Sequence, residues 1–234
     1  MLTGLEQEAL LISLRVAGSA LLIILVPGIL MAWLLARYDF PGKSLLDGLV
    51  HLPLVLPPVV VGYLLLVSMG RRGVIGGWLN ETFGIALPFT WQGAALAGGV
   101  MAFPLLVRAV RLSLEAVDPR LEAAARTLGA SRLRVFLTIT LPLSLPGVVT
   151  GGVLAFARAL SEFGATITFA SNIPGETRTL PLALYSLIQT PGMEAAAARL
   201  CAIAVAVAMV SLIASEWLAR RTRRRIAGRD GGVI

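Results

Sequence analysis

Cysteine and histidine are almost absent from this sequence: among 234 residues, Cys201 is the single cysteine and His51 the single histidine. One cysteine excludes an intrachain disulfide and any metal site built from several cysteines. No nucleophile elbow, no zinc-hydrolase motif and no cluster of carboxylates with a histidine occurs. We therefore predict no catalytic residue, no metal site and no cofactor in this chain, and we do not expect an enzyme.

Charged residues are also scarce. They make up 14% of the chain, against 57% hydrophobic residues, and the mean hydropathy is +0.85. Such a composition is typical of an integral membrane protein and not of a soluble domain. Because each span takes ~20 residues, the length allows one all-α membrane domain over residues 1–234 and no separate soluble catalytic domain. The net charge of +7 comes from arginines at the ends of apolar runs, so we expect no nucleic-acid partner.

Long apolar runs dominate what is present. Five of them are long enough to span a bilayer, namely 9–36, 48–69, 91–112, 143–170 and 195–218. The run 179–190 is too short to span, and we interpret it as a re-entrant or interfacial helix. We predict five spanning helices; a sixth, made by promoting 179–190, is the alternative. Glu6 and Glu8 stand where a cleaved signal peptide would be basic, so the first run is expected to remain.

Basic residues predict the orientation of these spans. Arg37 and Lys43 follow the first run, several arginines follow the third, and the tail 219–234 begins ARRTRRR. The positive-inside rule places all three regions in the cytoplasm, with the N-terminus outside and the C-terminus inside. Arg71, Arg72 and Arg178 then fall on the outer side, against the rule.

Proline and glycine interrupt the apolar runs, for example in HLPLVLPPVVVGY, residues 51–63, and at Pro104 and Pro142. Broken helices persist in a membrane where the freed backbone groups face protein or a water-lined path. This pattern favours a pathway through the bundle. The alternative is that membrane helices simply tolerate these residues.

Charges inside a span usually mark a pair or a pathway. Arg158 and Glu162 are one helical turn apart, so their side chains can meet on one face. They either neutralise each other or expose Arg158 to a passing anion. Hydroxyl and amide groups near the outer end of the same span are further candidates for a pathway, although helix-end capping also explains them; they are Thr166, Thr168, Ser171 and Asn172.

The basic segment 113–142 has its own pattern. Asp118-Pro119 is typical of a helix start, and Gly129 of its end. Apolar residues then recur at helical spacing up to Leu141-Pro142, which indicates a second amphipathic helix. Small residues around Ala124 would allow close contact with another protein. An acidic partner surface and an anionic lipid surface both fit the arginines.

The stretch Ala124-Ala125-Arg126-Thr127-Leu128-Gly129, followed after nine intervening residues by Ile139-Thr140-Leu141-Pro142, resembles the EAA loop of the membrane subunits of binding-protein-dependent ABC importers. The glutamate position of that motif falls on Ala123, with Glu122 one residue earlier, so no glutamate role is carried over. The resemblance implies a type I-like permease fold in which a cytoplasmic coupling helix, around 119–129, sits in a groove of an ATPase. The residues expected to couple to the ATPase are Arg120, Glu122, Ala124, Ala125, Arg126, Thr127, Leu128, Gly129, Ala130, Arg134, Ile139, Leu141 and Pro142.

Three longer stretches, HLPLVLPPVVVGYLLL, MAFPLLVRAVRLSLEAVD and LAFARALSEFGATITFASNIPGETRTLPLALYSLIQ, are similar to the molybdate permease branch of this family; sulfate permeases share parts of them. The resemblance implies one half of a homodimeric pore in the bacterial inner membrane. Two copies of a separate ATPase would carry ATP and Mg, and a periplasmic molybdate-binding protein would deliver the anion. Sulfate, thiosulfate or tungstate import is the alternative within the family. An ion-coupled secondary transporter is the alternative outside it, but such chains usually carry two internal repeats, and we find none.

Overall fold

The structure is a computed structural model that describes the backbone of residues 3–230 and the side chains of that range except 215, 216 and 218–230. Within these residues all regular elements are helical. The helices are α1 (Gly4–Arg37), α2 (Lys43–Val55), α3 (Pro58–Met69), α4 (Val74–Phe83), α5 (Trp91–Glu115), α6 (Pro119–Thr127), α7 (Arg132–Val135), α8 (Leu141–Leu160), α9 (Gly164–Phe169), α10 (Leu180–Ile188) and α11 (Glu194–Asp230), and a π-helical segment, Phe136–Thr140, joins α7 to α8. The predicted all-α fold is confirmed.

Length and apolar composition qualify four helical stretches of the described chain as membrane spans: Gly4–Arg37, Trp91–Glu115, Arg132–Leu160 and Glu194–Ala214. A fifth span is possible if α2 and α3 count together, since they form a pair bent by 115°. The predicted second span, 48–69, is therefore not one straight helix. Pro57 and Pro58 cause the bend, because a proline disfavours helical backbone in the residue before it, and Leu56 is accordingly extended (φ −70°, ψ 142°).

The fourth predicted run, 143–170, also divides. Its first part is α8, which ends at Leu160, and its last part is the short helix α9. The run 179–190 contains a helix of nine residues, α10, as its length predicted. The backbone of the predicted basic tail is helical to Asp230, whereas its side chains and residues 231–234 lie outside the described part.

The core is formed by α1, α5 and α8, which pack along their lengths. Alanines with no exposed surface, such as Ala20, Ala102 and Ala155, lie at these contacts beside Leu106 and Val110. Small side chains let the helix axes approach closely, which provides the packing that stabilises helices within a membrane. Larger side chains on the outer faces, such as Leu22 and Val26, remain exposed and are suited to lipid.

The bundle has two distinct ends. At one end, the last residues of α1 and α5 pack with Phe136, and α6 follows; we name this the α6 end. At the other end, Ile12 and Val16 of α1 and the first turns of α5 pack against Ala170; we name this the N-terminal end. A protein embedded in a bilayer would present these two ends to opposite sides of the membrane.

The contact between α3 and α9 depends on glycine. A Cβ at Gly62 would lie 2.7 Å from the carbonyl oxygen of Ala165, and a Cβ at Gly164 would lie 2.8 Å from Cβ of Pro58. Neither neighbour is the far end of a flexible side chain. The two short helices are therefore held at a distance that only glycine allows.

We expect Gly62→Ala to destabilise the folded chain by about 1–3 kcal/mol, because the new methyl group overpacks a rigid backbone contact. The measurement is resistance to unfolding in graded SDS. Gly48→Ala is the matched control, since a Cβ there meets nothing within 4 Å. Equal stability of the two variants would contradict the proposed role of the α3–α9 contact.

Candidate functional site

The helix predicted for coupling, α6, forms as the sequence indicates. Asp118 caps it by accepting a hydrogen bond from the Arg120 amide at 2.9 Å, and Pro119 occupies its first turn. Gly129 ends the turn after it with φ +84°, a conformation that glycine adopts without strain. None of the nine residues of α6 is buried. The helix therefore lies on the surface of the protein.

Glu122 holds this exposed helix to the bundle. Its Oε1 accepts hydrogen bonds from Arg37 Nη2 at 2.8 Å and Arg37 Nε at 3.1 Å. The Thr140 hydroxyl donates to the same oxygen at 2.8 Å. The ion pair is well shielded, with side-chain exposures of 16% for Arg37 and 19% for Glu122. One carboxylate thus connects α6 to the last residue of α1 and to the π-helical segment.

The surroundings of this carboxylate are rigid. Thr140 is 1% exposed, and Trp33 packs on Phe136 with 5.0 Å between ring centroids. Arg37 also donates to the Val117 carbonyl at 3.3 Å, just before α6 begins. A cavity of about 310 Å³ opens beside the pair. π-helical turns are uncommon and occur frequently at functional sites.

Around α6 the surface combines apolar and basic side chains. Four leucines are exposed by about half or more: Leu121 (49%), Leu128 (89%), Leu133 (66%) and Leu137 (52%). Four arginine side chains have no hydrogen bond or ion pair within the described chain, namely Arg120, Arg126, Arg132 and Arg134. Apolar side chains with unpaired cations around them are suited to a partner whose groove is apolar and whose rim is acidic. We name this group of residues the α6 surface.

The residues predicted for coupling fall into two sets. Those that are exposed at or near α6 are Arg120, Ala124, Arg126, Thr127, Leu128, Gly129 and Arg134. Those that are partly buried are Glu122, Ala125, Ala130, Ile139, Leu141 and Pro142. Sequence reasoning missed Arg37 and did not assign Thr140 a role, because their contacts with Glu122 join positions 85 and 18 residues apart.

The α6 end carries further charged contacts. Lys43 donates to Asp39 at 2.8 Å, and this hydrogen bond lowers the pKa of the Asp39 carboxyl below its ordinary value. Arg111 pairs with Asp47 at 3.1 Å and with Glu115 at 2.8 Å, which ties α2 to α5. Among the described residues no group of three His, Cys, Asp or Glu could hold a metal ion.

The second candidate site lies at the corner between α8 and α9. Arg158 and Glu162 form an ion pair with 2.5 Å between Nη1 and Oε2, so the predicted meeting of these side chains is confirmed. Glu162 is 2% exposed, and its Oε1 accepts the Ala165 amide at 2.8 Å. The carboxylate therefore also satisfies the backbone where α9 begins.

The remaining pathway candidates have local structural contacts. Thr166 is buried at 1% exposure, and the Thr168 hydroxyl donates to the Gly164 carbonyl within its own helix. Asn172 donates to Ser186 at 2.7 Å and accepts from Arg178 at 3.1 Å. Ser171 has a left-handed backbone, φ +65°, at the turn after α9. These residues fix the connection from α9 to α10.

Comparison with known proteins identifies the family. The family described as binding-protein-dependent transport system inner membrane component matches residues 25–225. The chain is 67% identical over 229 residues to the molybdenum transport system permease protein ModB of Escherichia coli (strain K12). This alignment covers 98% of this chain and 100% of that relative. It is 39% identical over 201 residues to the sulfate transport system permease protein CysT of the same organism, covering 86% of this chain and 72% of that relative.

Among solved structures, the chain resembles a subunit of a bacterial ABC transporter involved in the import of the acidic polysaccharide alginate. The TM-score is 0.74 at 19% identity, and the match covers 94% of this chain and 80% of that one. This likeness establishes the type I ABC importer permease fold. Together with the family match, it shows that the chain belongs to the inner membrane components of binding-protein-dependent transport systems.

Proposed function

We propose that this chain is the membrane-spanning subunit of an ATP-driven importer that brings molybdate into the cytoplasm. The observation that carries the proposal is the α6 surface: an exposed helix with no core of its own, held to two spans by Glu122. Such a helix is suited to receive movement from a partner. The substrate follows from the name of the relative at 67% identity.

The importer would contain two copies of this chain, two ATP-binding subunits on the α6 surface and a periplasmic molybdate-binding protein at the N-terminal end. ATP and Mg would be bound by the ATPase subunits. An unpartnered apolar face of α3 supports the second copy, since Val59, Tyr63, Leu64 and Val67 are each exposed by more than half. Close packing of such faces, or lipid, would cover them.

We place the α6 end in the cytoplasm and the N-terminus outside. The arginines of the α6 surface, together with Arg37 and Arg111, concentrate positive charge at the α6 end, as the positive-inside rule requires. An energy source is then required. Each negative charge entering an inside-negative cell costs about 2.3 kcal/mol per 100 mV, so a dianion costs about twice that.

In this mechanism, closure of the ATPase subunits pushes α6. Glu122 passes the displacement to Arg37 at the end of α1 and to Thr140 at the start of the span formed by α8. The spans then move about their breaks, such as the bend between α2 and α3, and open the pathway to one side at a time. We place the pathway beside the α8–α9 corner, where the Arg158–Glu162 pair lies.

Two alternatives to this function exist, one within the importer architecture and one outside it. A sulfate or tungstate importer differs only in its substrate, and the sulfate permease relative supports sulfate as the competitor. A secondary transporter driven by an ion gradient would take up the anion without any ATPase. The α6 surface favours the ATP-driven mechanism.

Uptake of trace labelled molybdate, in cells with and without the gene and with excess unlabelled sulfate, tests the function. We expect uptake to be lost on deletion of the gene and to resist sulfate. Uptake that persists in the deleted cells, or that sulfate abolishes, would overturn molybdate as the substrate. Uptake that persists without the partner ATPase would overturn the ATP-driven mechanism.

Glu122→Ala tests the coupling role of the carboxylate. We expect uptake to fall about tenfold or more, because the variant loses charge-assisted hydrogen bonds worth about 1.5–3 kcal/mol each. Arg37→Ala should reproduce the loss, since both variants break the same ion pair. The measurement is uptake normalised to the amount of chain in the membrane, together with co-purification of the ATPase.

Glu115→Ala is the control for this pair of variants. Glu115 is also a carboxylate paired with an arginine at the α6 end, but it contacts Arg111 and not α6. Its removal should leave uptake within about twofold of wild type, as for an exposed ion pair. If Arg37→Ala keeps normal uptake while Glu122→Ala loses it, Glu122 acts on the partner directly. That result would refute a coupling role for the ion pair between Glu122 and Arg37.

Neutral variants test the Arg158–Glu162 pair. We expect Arg158→Gln alone to destabilise the chain by about 3–5 kcal/mol, because it leaves Glu162 buried without its partner. The double variant Arg158→Gln with Glu162→Gln should keep most uptake, because a glutamine carbonyl can still accept the Ala165 amide. Lost uptake in a double variant that reaches the membrane folded would instead assign Arg158 to the passing anion.

A further inference from the structure

The segment between α3 and α5, residues 70–90, lies at the opposite end of the bundle from the α6 surface. The two regions are joined by α5, whose 25 residues give a length of about 37 Å. If the α6 end is cytoplasmic, as proposed above, this segment faces outward. It contains α4 and the turns on either side of it, and we name it the outer segment.

Large apolar side chains on the outer segment are exposed. Val74 is 91% exposed, Phe83 61%, Trp78 57% and Phe89 52%. Trp78 and Phe83 pack edge to face with 5.6 Å between ring centroids, so they form one patch. Aromatic side chains and arginine are enriched at protein interfaces and at the positions that contribute most to binding.

Two arginines precede α4 in the outer segment. Arg71 and Arg72 line a cavity of about 850 Å³ between the end of α3 and the residues that precede α5. Neither side chain has a hydrogen bond or ion pair with any described residue. Glu81 is the only carboxylate in the outer segment. Both arginines oppose the positive-inside rule, so a reason other than topology is required for them.

The outer segment is fixed in place. A Cβ at Gly76 would clash with the carbonyl oxygen of Met69, so α4 packs directly on the backbone of α3. Phe89 has a left-handed backbone with φ +63°, which is uncommon for a bulky residue and persists where the surroundings enforce it. Its amide donates to the Phe169 carbonyl at 3.2 Å. The patch is thus preformed and connected by one hydrogen bond to the last residue of α9.

We propose that the outer segment is the docking surface for the soluble binding protein, and that acidic side chains on that protein pair with Arg71 and Arg72 while apolar ones cover Val74 and Trp78. This inference rests on the proposed function, which includes a soluble binding protein, and it names the residues of this chain that the binding protein would contact. Charge complementarity carries it, because two arginines without a partner among the described residues, lining a cavity in the same segment as exposed apolar side chains, suit an acidic protein surface. Docking there would act on α9 through Phe89 and hence on the corner where the pathway is placed.

The experiment measures the Kd of the purified binding protein for the complete transporter, this chain with its ATPase subunits, in phosphatidylcholine nanodiscs at low salt. We expect Arg71→Gln with Arg72→Gln to raise the Kd roughly tenfold, and Arg71→Glu with Arg72→Glu to raise it further, through like-charge repulsion. Arg71→Lys with Arg72→Lys should remain within about threefold of wild type. Added salt should weaken the wild type more than the glutamine variant.

The matched control is Gln189→Glu with Thr190→Glu. These residues are exposed at the same end of the bundle, between α10 and α11, and the variant changes the net charge by the same −2 as the glutamine variant. It should leave the Kd within about twofold. Retention of the ATPase subunits shows in each case that the variant has folded.

A wild-type Kd in the glutamine and glutamate variants would overturn the inference. So would an equal loss in the control, which would indicate a general effect of charge. An effect confined to nanodiscs of anionic phosphatidylglycerol would assign the arginines to lipid headgroups and also overturn it. Failure of the proposed function is distinguishable, because it appears as absent molybdate uptake in the wild type.

Discussion

The ion pair between Glu122 and Arg37 is the contact on which the arrangement at the α6 end depends. An exposed helix of nine residues with no buried side chain would not be stable by itself in water. Here its position comes from one shielded carboxylate that three donor groups share. Because the donors belong to α1 and to the π-helical segment, one carboxylate joins α6 to two spans.

Carboxylates also organise the N-terminal end, where they accept backbone amides at the starts of helices and in a turn. Glu162 accepts the Ala165 amide at the start of α9, Glu176 accepts the Trp91 amide at the start of α5, and Glu8 accepts the Gly175 amide. Breaks in membrane helices leave backbone groups without partners, and each must be satisfied within the protein. These three carboxylates thus satisfy backbone amides at the start of a helix or in a turn.

The two proposed binding surfaces, one for the ATPase and one for the binding protein, lie at opposite ends of the bundle. The α6 surface and the outer segment stand at opposite ends of α5, and each combines exposed apolar side chains with unpaired arginines. Between them the core is built from small residues at close helix contacts. Close packing of this kind is what stabilises helices against one another within a membrane.

The sequence by itself determined the membrane class, four of the spans and the short helix α6 with its cap at Asp118 and its turn at Gly129, because these follow from local composition and capping chemistry. The family was indicated by the resemblance of its motifs to those of known permeases. The sequence also predicted the contact between Arg158 and Glu162, since one helical turn separates them, and the structure contains this ion pair. Only the tertiary structure decided the partners of Glu122 and the link from Phe89 to α9. Those depend on contacts between residues far apart in the chain, which no local pattern encodes.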